Sequence, residues 1–340
     1  MTFAVELPRD SYRIANLRGF AVAPAFDLPT AGAMAWLSQL AYEKPNGTTV
    51  SEVLQDWQLS RLATLRSPKT RFPRMVDTSG LIVTGCGATI VVFAGTDPFV
   101  VENWLTDLNA VPSGDHIHSG FQAGVESVWE QIKSEIGKSA APRSPLFVTG
   151  HSLGGALAVV AAKFLHERLG LQAHAVYTFG MPRCLGSRIV SDYERTLGSR
   201  TYRLVHGRDI VPTLPPSELD FRHVGRLLHC RQDNQFDSTR LAAVPSDEPA
   251  FLDLDLLNLL KSAVPADLSI SSIAKLKEIP GKVKEVIEII RSGSRGSSKP
   301  TQPGLLGEVI SWLPSRIRHH VPAYYLRALG FNLEVKEEKD

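Results

Sequence analysis

The chain has 340 residues, of which 43% are hydrophobic and 21% charged, and its formal net charge is +2. These values are ordinary for a globular protein with a substantial core. The near-neutral charge, without a basic stripe interleaved with aromatic residues, argues against nucleic-acid binding. No apolar run is long enough for a transmembrane segment, and residues 1–20 lack the apolar segment of a signal peptide. We therefore expect a soluble protein that is cytoplasmic or exported by an unconventional route.

The three cysteines, Cys86, Cys184 and Cys230, are too few and too scattered for a disulfide framework or a C-x-x-C metal site. An odd number of cysteines is more typical of a reducing compartment. We accordingly predict that the protein uses no metal and no cofactor.

The first third of the chain predicts two helices and then two strands. Apolar residues at helical spacing indicate a helix that begins at Thr30, its predicted N-cap, and a second helix from about Thr49. Residues 81–84 and 88–94 predict strands, and the continuous apolar run of the second indicates burial on both faces. This strand ends in a polar turn at Gly95 and Thr96, where doubly wound sheets place ligand chemistry.

The segment after this turn carries more apolar surface than a loop needs, with Phe99, Val100, Val101 and Trp104 close together. A helix is then predicted from His118 to about residue 136. Further strands and helices alternate down to residue 230, with strands at 173–179, 201–205 and 224–230 and a helix at 187–197. This alternation predicts an α/β fold: one domain over residues 1–340, with a mostly parallel central sheet and helices on both faces.

The motif Gly-His-Ser-Leu-Gly is centred on Ser152. A strand-like run, 146–149, precedes it, and a helical pattern, 156–169, follows it, which is the context of a nucleophile elbow. Gly150 and Gly154 permit the sharp turn, because a side chain at either position would collide with neighbouring backbone. We predict that Ser152 is a nucleophile at the tip of this turn, with its hydroxyl exposed above the sheet edge.

A serine nucleophile needs a base and an orienting carboxylate, which follow it as acid and then histidine in the α/β-hydrolase chain order. Asp209 comes just after a predicted strand and is the predicted acid. Asp192 and Glu194 fall inside a predicted helix, and Asp220 lies in a proline-rich loop.

The histidine has four candidates downstream of Asp209. His223 and His229 belong to a predicted strand, where a packed or solvent-facing role is favoured. His319 and His320 precede a predicted helix at 322–329, and such a junction is free to reach the serine. One of this pair is predicted to be the base, and spacing alone does not choose between them.

The oxyanion formed during acyl transfer needs preorganised N–H donors. One is expected to be the amide of Leu153, directly after the nucleophile, and the other to come from the turn after an earlier strand, which points to Thr96. The Thr96 hydroxyl would add a further donor.

Several motifs together resemble the class 3 lipase family, the fungal-type triacylglycerol lipases and their relatives. They occur in the family's order, at 90–96, 103–108, 118–121, 150–156, 178–183 and 203–216. The resemblance covers roughly residues 30–230 and resumes near 319–330. It implies an α/β-hydrolase fold, with Ser152 as nucleophile, Asp209 as acid, and Thr96 and Leu153 as oxyanion donors. It favours His320 over His319, because the family histidine precedes a Tyr-Leu pair at a spacing that matches Tyr325-Leu326.

The resemblance also implies a lid over about residues 97–104, whose apolar side chains Phe99, Val100, Val101 and Trp104 would cover the site and open on lipid. Residues 246–313 are an addition to the usual pattern, with short amphipathic helical patterns and a basic character. They predict a helical insertion before the histidine, either a solvated face, a cap or a contact with a lipid surface.

These observations predict a serine carboxylic-ester hydrolase, similar to triacylglycerol lipases, that cleaves acyl esters of lipids through an acyl-enzyme. Its predicted partners are a lipid ester substrate and a lipid surface. The alternatives are a phospholipase A1, a short-chain carboxylesterase and a lipase-like scaffold without catalytic activity.

Overall fold

The computed structural model describes residues 7–43, 47–68, 78–95, 116–138, 144–215, 220–231, 234–242 and 319–333. All of these residues lie in one compact unit, formed by 2–248 and 314–334. The predicted insertion at 246–313 and the predicted lid lie outside the described residues, so both remain predictions, as does a single domain over the whole chain.

A seven-stranded sheet forms the centre of the described part of the chain, in the order β1-β2-β3-β4-β5-β7-β9. The first three strands pair antiparallel, and the pairs from β3 to β9 are all parallel. Two very short strands, β6 and β8, form a separate antiparallel pair. The strands are β1 Ser60–Arg66, β2 Ser79–Gly85, β3 Ala88–Phe93, β4 Leu146–His151, β5 Ala175–Phe179, β6 Leu185–Gly186, β7 Thr201–His206, β8 Phe221–Arg222 and β9 Arg226–Cys230.

Helices cover both faces of this sheet, as the sequence predicts. They are α1 Leu28–Leu40, α2 Thr48–Asp56, α3 Ser119–Lys138, α4 Leu153–Leu169, α5 Ser187–Thr196 and α6 Pro322–Ala328. The alternating side chains of β3 show the two cores: Ile90 and Val92 pack with α1, α2 and α6, whereas Val91 and Phe93 pack with α3 and α4. Burial on both faces explains the unbroken apolar run of β3.

The start of α1 differs from its prediction. The N-cap is Asp27 rather than Thr30, because the Asp27 carboxylate accepts hydrogen bonds from the Thr30 N–H at 2.8 Å and from the Thr30 hydroxyl at 2.6 Å. A carboxylate suits this end of a helix, where unpaired N–H groups carry partial positive charge. β1 was not predicted, because the two arginines and the partly exposed residues of this edge strand break the apolar pattern.

The parallel strands bring their carboxyl ends to one edge of the sheet. At that edge β4 ends at His151, β5 at Phe179 and β7 at His206. Ligands of such sheets bind at this edge. Within the described part of the chain, no helix is both long and apolar enough to cross a membrane.

Candidate active site

Ser152 occupies a sharp turn between β4 and α4, with φ 59° and ψ −130°. A non-glycine residue in this region carries on the order of 1–3 kcal/mol of strain, and it persists only where neighbours fix it. Two backbone hydrogen bonds do so: the Ser152 N–H donates to the Phe179 carbonyl at 2.8 Å, and the Gly155 N–H donates to the Ser152 carbonyl at 2.9 Å. The strained serine is therefore held in one orientation.

The glycines of the motif make this turn possible, as predicted from the sequence. A Cβ atom at Gly150 would overlap the backbone of Gly154, and one at Gly154 would overlap the carbonyl of Phe93 at the end of β3. The helix can therefore start directly against two neighbouring strands.

Three of the predicted site residues come together at this edge. The Ser152 Oγ lies 2.8 Å from His320 Nε2, and His320 Nδ1 lies 2.8 Å and 3.0 Å from the two carboxylate oxygens of Asp209. An ionised carboxylate can only accept, so Nδ1 carries the ring proton and Nε2 is free to accept the serine proton. This is the tautomer that a general base for Ser152 requires.

Asp209 has two further donors besides the histidine. The Val211 N–H donates to Oδ1 at 2.9 Å, and the Tyr325 hydroxyl donates to Oδ2 at 2.6 Å. Burial, together with the negative charge of Asp209, holds the pKa of Tyr325 well above its usual value, so the hydroxyl stays a donor. Sequence reasoning missed this contact, since it took Tyr325 only as part of a Tyr-Leu marker. The available signal was a tyrosine one turn into the helix that follows the histidine.

The structure separates the two adjacent histidines clearly. His320 reaches Ser152, whereas the His319 Nδ1 accepts a hydrogen bond from the Arg208 N–H at 2.8 Å. His319 therefore anchors the loop that carries Asp209. Because the two histidines are adjacent, the short segment 319–320 is bonded both to the turn at Ser152 and to the loop that carries Asp209.

The other residues weighed from the sequence bond elsewhere. His223 and His229 each donate from Nε2 to a backbone carbonyl at 2.8 Å, those of Pro212 and Gly207. Asp192 pairs with Arg195, Glu194 accepts the Gly225 N–H, and Asp220 accepts the Ser187 hydroxyl.

One of the two predicted oxyanion donors lies within the described residues. Leu153 is the first residue of α4, so its N–H is among the helix donors without an intrahelical acceptor, and it lies next to Ser152. Thr96 and the predicted lid residues Phe99, Val100, Val101 and Trp104 lie outside the described residues.

The predicted exposure of the serine hydroxyl is wrong, because Ser152 is fully buried, with His320 against its hydroxyl. Across the described ranges, no group of three or more His, Cys, Asp or Glu side chains is placed to hold a metal ion.

A strained serine between a strand and a helix, bonded in series to a histidine and an aspartate on a mostly parallel sheet, defines the α/β-hydrolase class. Residues 90–219 match the family model described as Lipase (class 3). This match confirms the resemblance drawn from the motifs.

Named relatives extend the likeness. Over 131 residues the chain is 37% identical to "Secreted mono- and diacylglycerol lipase 1" of Fusarium solani. This alignment covers 36% of the present chain and 38% of that protein. Over 174 residues the chain is 33% identical to "Lipase" of Rhizomucor miehei, which covers 47% of each. The chain therefore spans less than half the length of these curated relatives. Among solved structures, lipase II from Rhizopus niveus is 24% identical with a TM-score of 0.48, covering 67% of this chain and 88% of that one.

Proposed function

We propose that this chain is a serine carboxylic-ester hydrolase, similar to triacylglycerol lipases, that cleaves acyl esters of lipids. The observation that carries the proposal is the linear hydrogen-bonded arrangement Ser152–His320–Asp209, with the histidine tautomer set for proton transfer. We assign Ser152 as nucleophile, His320 as general base and then acid, and Asp209 as the group that orients His320.

The reaction follows from this geometry. The Ser152 Oγ attacks the ester carbonyl carbon while His320 Nε2 takes its proton, and Asp209 stabilises the imidazolium that forms. The carbonyl oxygen becomes an oxyanion, which the Leu153 N–H and, by prediction, Thr96 stabilise. His320 then gives its proton to the leaving alcohol as the C–O bond breaks. Water, activated by the same histidine, hydrolyses the acyl-enzyme and returns Ser152 to its starting state.

Lipid esters as the substrate class are supported by the relatives, which are named lipase and mono- and diacylglycerol lipase. We infer that acylglycerols are the substrates and that the protein meets them at a lipid surface. The complete burial of Ser152 supports this inference, because an ester reaches a buried hydroxyl only after a rearrangement such as the opening of a lid. A phospholipase A1 or a short-chain esterase would use the same three residues.

We propose that the protein is cytoplasmic or exported by an unconventional route. Cys86, Cys184 and Cys230 are all free thiols, which supports residence in a reducing compartment, whereas several relatives have the word "secreted" in their names. Export of the native chain through the general secretory pathway would overturn this part of the proposal.

The test is hydrolysis of p-nitrophenyl esters from acetate to palmitate, beside emulsified tri-, di- and monoacylglycerols and a phospholipid. A lipase predicts turnover that is highest with medium or long chains and rises at the emulsion surface. Activity confined to short soluble esters would replace the lipase with a short-chain esterase, and release of fatty acid chiefly from phospholipid would replace it with a phospholipase A1.

The decisive variant is Ser152→Ala, which we expect to fold and to lose on the order of 10³-fold or more in kcat. Ser127→Ala is a matched control, because that hydroxyl bonds a carbonyl within α3, away from the site. A fluorophosphonate should label the wild type at Ser152 and leave Ser152→Ala unlabelled. Unlabelled wild type without turnover would mean a lipase-like scaffold, and full activity of Ser152→Ala would refute the mechanism.

A further inference from the structure

The residue before the nucleophile, His151, is the last residue of β4 and is almost completely buried. Both of its ring nitrogens are hydrogen-bonded. Nδ1 lies 2.7 Å from the hydroxyl of Tyr42, and Nε2 lies 2.7 Å from the backbone carbonyl oxygen of His320. A second chain of hydrogen bonds, Tyr42–His151–His320, thus reaches the proposed base at its backbone carbonyl, whereas Ser152 and Asp209 bond its ring.

The direction of each bond in this chain follows from the partners. A carbonyl oxygen can only accept, so His151 Nε2 carries the ring hydrogen and donates a hydrogen bond to the His320 backbone carbonyl. In the neutral ring Nδ1 is then bare and accepts, so the Tyr42 hydroxyl donates to it. The His320 carbonyl thus selects the tautomer of His151, and the Tyr42 hydroxyl satisfies its Nδ1.

Neutrality is favoured by the surroundings. Burial lowers the pKa of His151 well below its usual value, and a positive charge on His320 lowers it further. The two rings are 4.7 Å apart, and the Tyr325 ring is 5.6 Å from His151. Within the part of the chain that the structure describes, the titratable groups in contact with His151 are Tyr42, His320 and Tyr325. His151 can therefore remain a neutral support when His320 gains a proton during the reaction.

Tyr42 also contacts the neighbouring strand. A Cβ atom at Gly95 would overlap the Tyr42 hydroxyl and would lie 2.6 Å from the His151 carbonyl oxygen. Gly95 follows the end of β3 and directly precedes the predicted oxyanion residue, Thr96. The hydroxyl of Tyr42 therefore packs between Gly95, which follows β3, and the end of β4.

Resting on the proposed function, we propose that Tyr42 and His151 are positioning residues, which hold His320 by its backbone carbonyl so that Nε2 stays in line with Ser152. Both act through the backbone carbonyl of His320 rather than through a hydrogen bond to Ser152 Oγ or to the His320 ring. The triad would thus be oriented from two sides: Asp209 holds the ring through Nδ1, and the Tyr42–His151 chain holds the main chain.

The first test is Tyr42→Phe, which keeps the ring and removes the hydroxyl. Loss of the buried hydrogen bond to His151 Nδ1 predicts that kcat falls about 5- to 20-fold while KM stays within about twofold. The matched control is Tyr193→Phe, which removes a buried hydroxyl bonded to Thr201 at 2.9 Å. Rates are expressed per site titrated with a fluorophosphonate, so that a misfolded fraction does not count.

The second test compares two replacements of His151. In His151→Gln the amide N–H can still donate to the His320 carbonyl, whereas His151→Leu has no donor. We expect the glutamine variant to retain about tenfold more kcat than the leucine variant. Because wild-type His151 is neutral throughout, the acidic limb of the kcat–pH profile should be the same in His151→Gln as in the wild type.

These outcomes are separable from failure of the proposed function. If the wild type is active and Ser152→Ala is not, the function stands, and the positioning proposal is judged separately. Equal kcat per site in Tyr42→Phe and wild type would overturn it, as would equal loss in the two His151 variants. A shifted acidic limb in His151→Gln would overturn the neutral tautomer.

Discussion

Asp209→Asn, which replaces one carboxylate oxygen with an NH₂ group, tests the proposed role of Asp209 in orienting His320. The carboxylate has two distinguishable oxygens: Oδ1 accepts from the Val211 N–H at 2.9 Å, and Oδ2 accepts from the Tyr325 hydroxyl at 2.6 Å. An amide NH₂ at Oδ1 would face the Val211 N–H, donor against donor. It is therefore expected at Oδ2, where the Tyr325 oxygen can accept from it.

In that position the NH₂ lies about where Oδ2 is now, 2.8 Å from His320 Nδ1. The ring can meet a donor only with a bare Nδ1, so its proton moves to Nε2 and the base for Ser152 is lost. A serine protease with the corresponding change loses about 10⁴-fold in kcat for this reason, which corresponds to about 5.5 kcal/mol. We expect a loss of the same order here, with little change in thermal stability.

The assay is kcat with a p-nitrophenyl ester, per correctly folded protein. Asp192→Asn serves as the control, because this carboxylate pairs with Arg195 at the surface. A loss of less than tenfold in Asp209→Asn would refute the argument from tautomers.

Two further changes test the packing of the site and its surroundings. In Gly180→Ala the new Cβ would lie 2.6 Å from Asp209 Oδ2 and 2.9 Å from His320 Nδ1, so we expect kcat to fall by at least tenfold. The control is Gly170→Ala, where φ is similarly positive but the space is open, so stability should fall without this loss of kcat. Equal kcat in the two variants would contradict the predicted clash. Burial lowers the pKa of His118 from 6.5 to about 4, so the unfolded state binds the proton first as the pH falls. We therefore expect the free energy of unfolding to decrease by up to about 3 kcal/mol, on account of this group, as the pH falls from 6.5 to 4. Urea unfolding of His118→Gln should show a correspondingly flatter dependence over that range, and an unchanged slope would refute the assignment.

The local pattern of the sequence predicted the elements of the site well. The elbow at Ser152 is a local feature, because glycines, an apolar strand and a helix are contiguous in the chain. Asp209 was found by the same reasoning, since an acid just past a strand end needs only the strand to be recognised. The alternation of strands and helices likewise predicted the parallel part of the sheet.

What the sequence did not show are contacts between distant segments. The bond from Tyr325 to Asp209 and the chain from Tyr42 through His151 join residues separated by 116 and 109 positions. A tyrosine at helical spacing is indistinguishable from an ordinary core residue until the partner helix is in place. The burial of Ser152 was missed for the same reason, because exposure depends on what folds over a residue.

The choice between His319 and His320 shows where spacing stops being informative. Adjacent residues at a loop–helix junction differ in direction rather than in distance from the serine. The structure distinguishes them through their partners, because His320 bonds Ser152 whereas His319 accepts the Arg208 N–H. Local spacing shows neither contact, and the prediction of His320 came from the resemblance to a family.

The way in which the segment 319–320 is attached affects which changes in chain length the site can tolerate during evolution. Four hydrogen bonds attach it to two parts of the described chain: the turn at His151 and Ser152, and the loop at Arg208 and Asp209. Its position therefore depends on those bonds and not on the length of chain that leads to it. Doubling the number of residues between two fixed points of a chain adds only about 0.6 kcal/mol of closure entropy. We therefore expect a change in length between residues 242 and 319 to leave the Ser152–His320–Asp209 geometry in place.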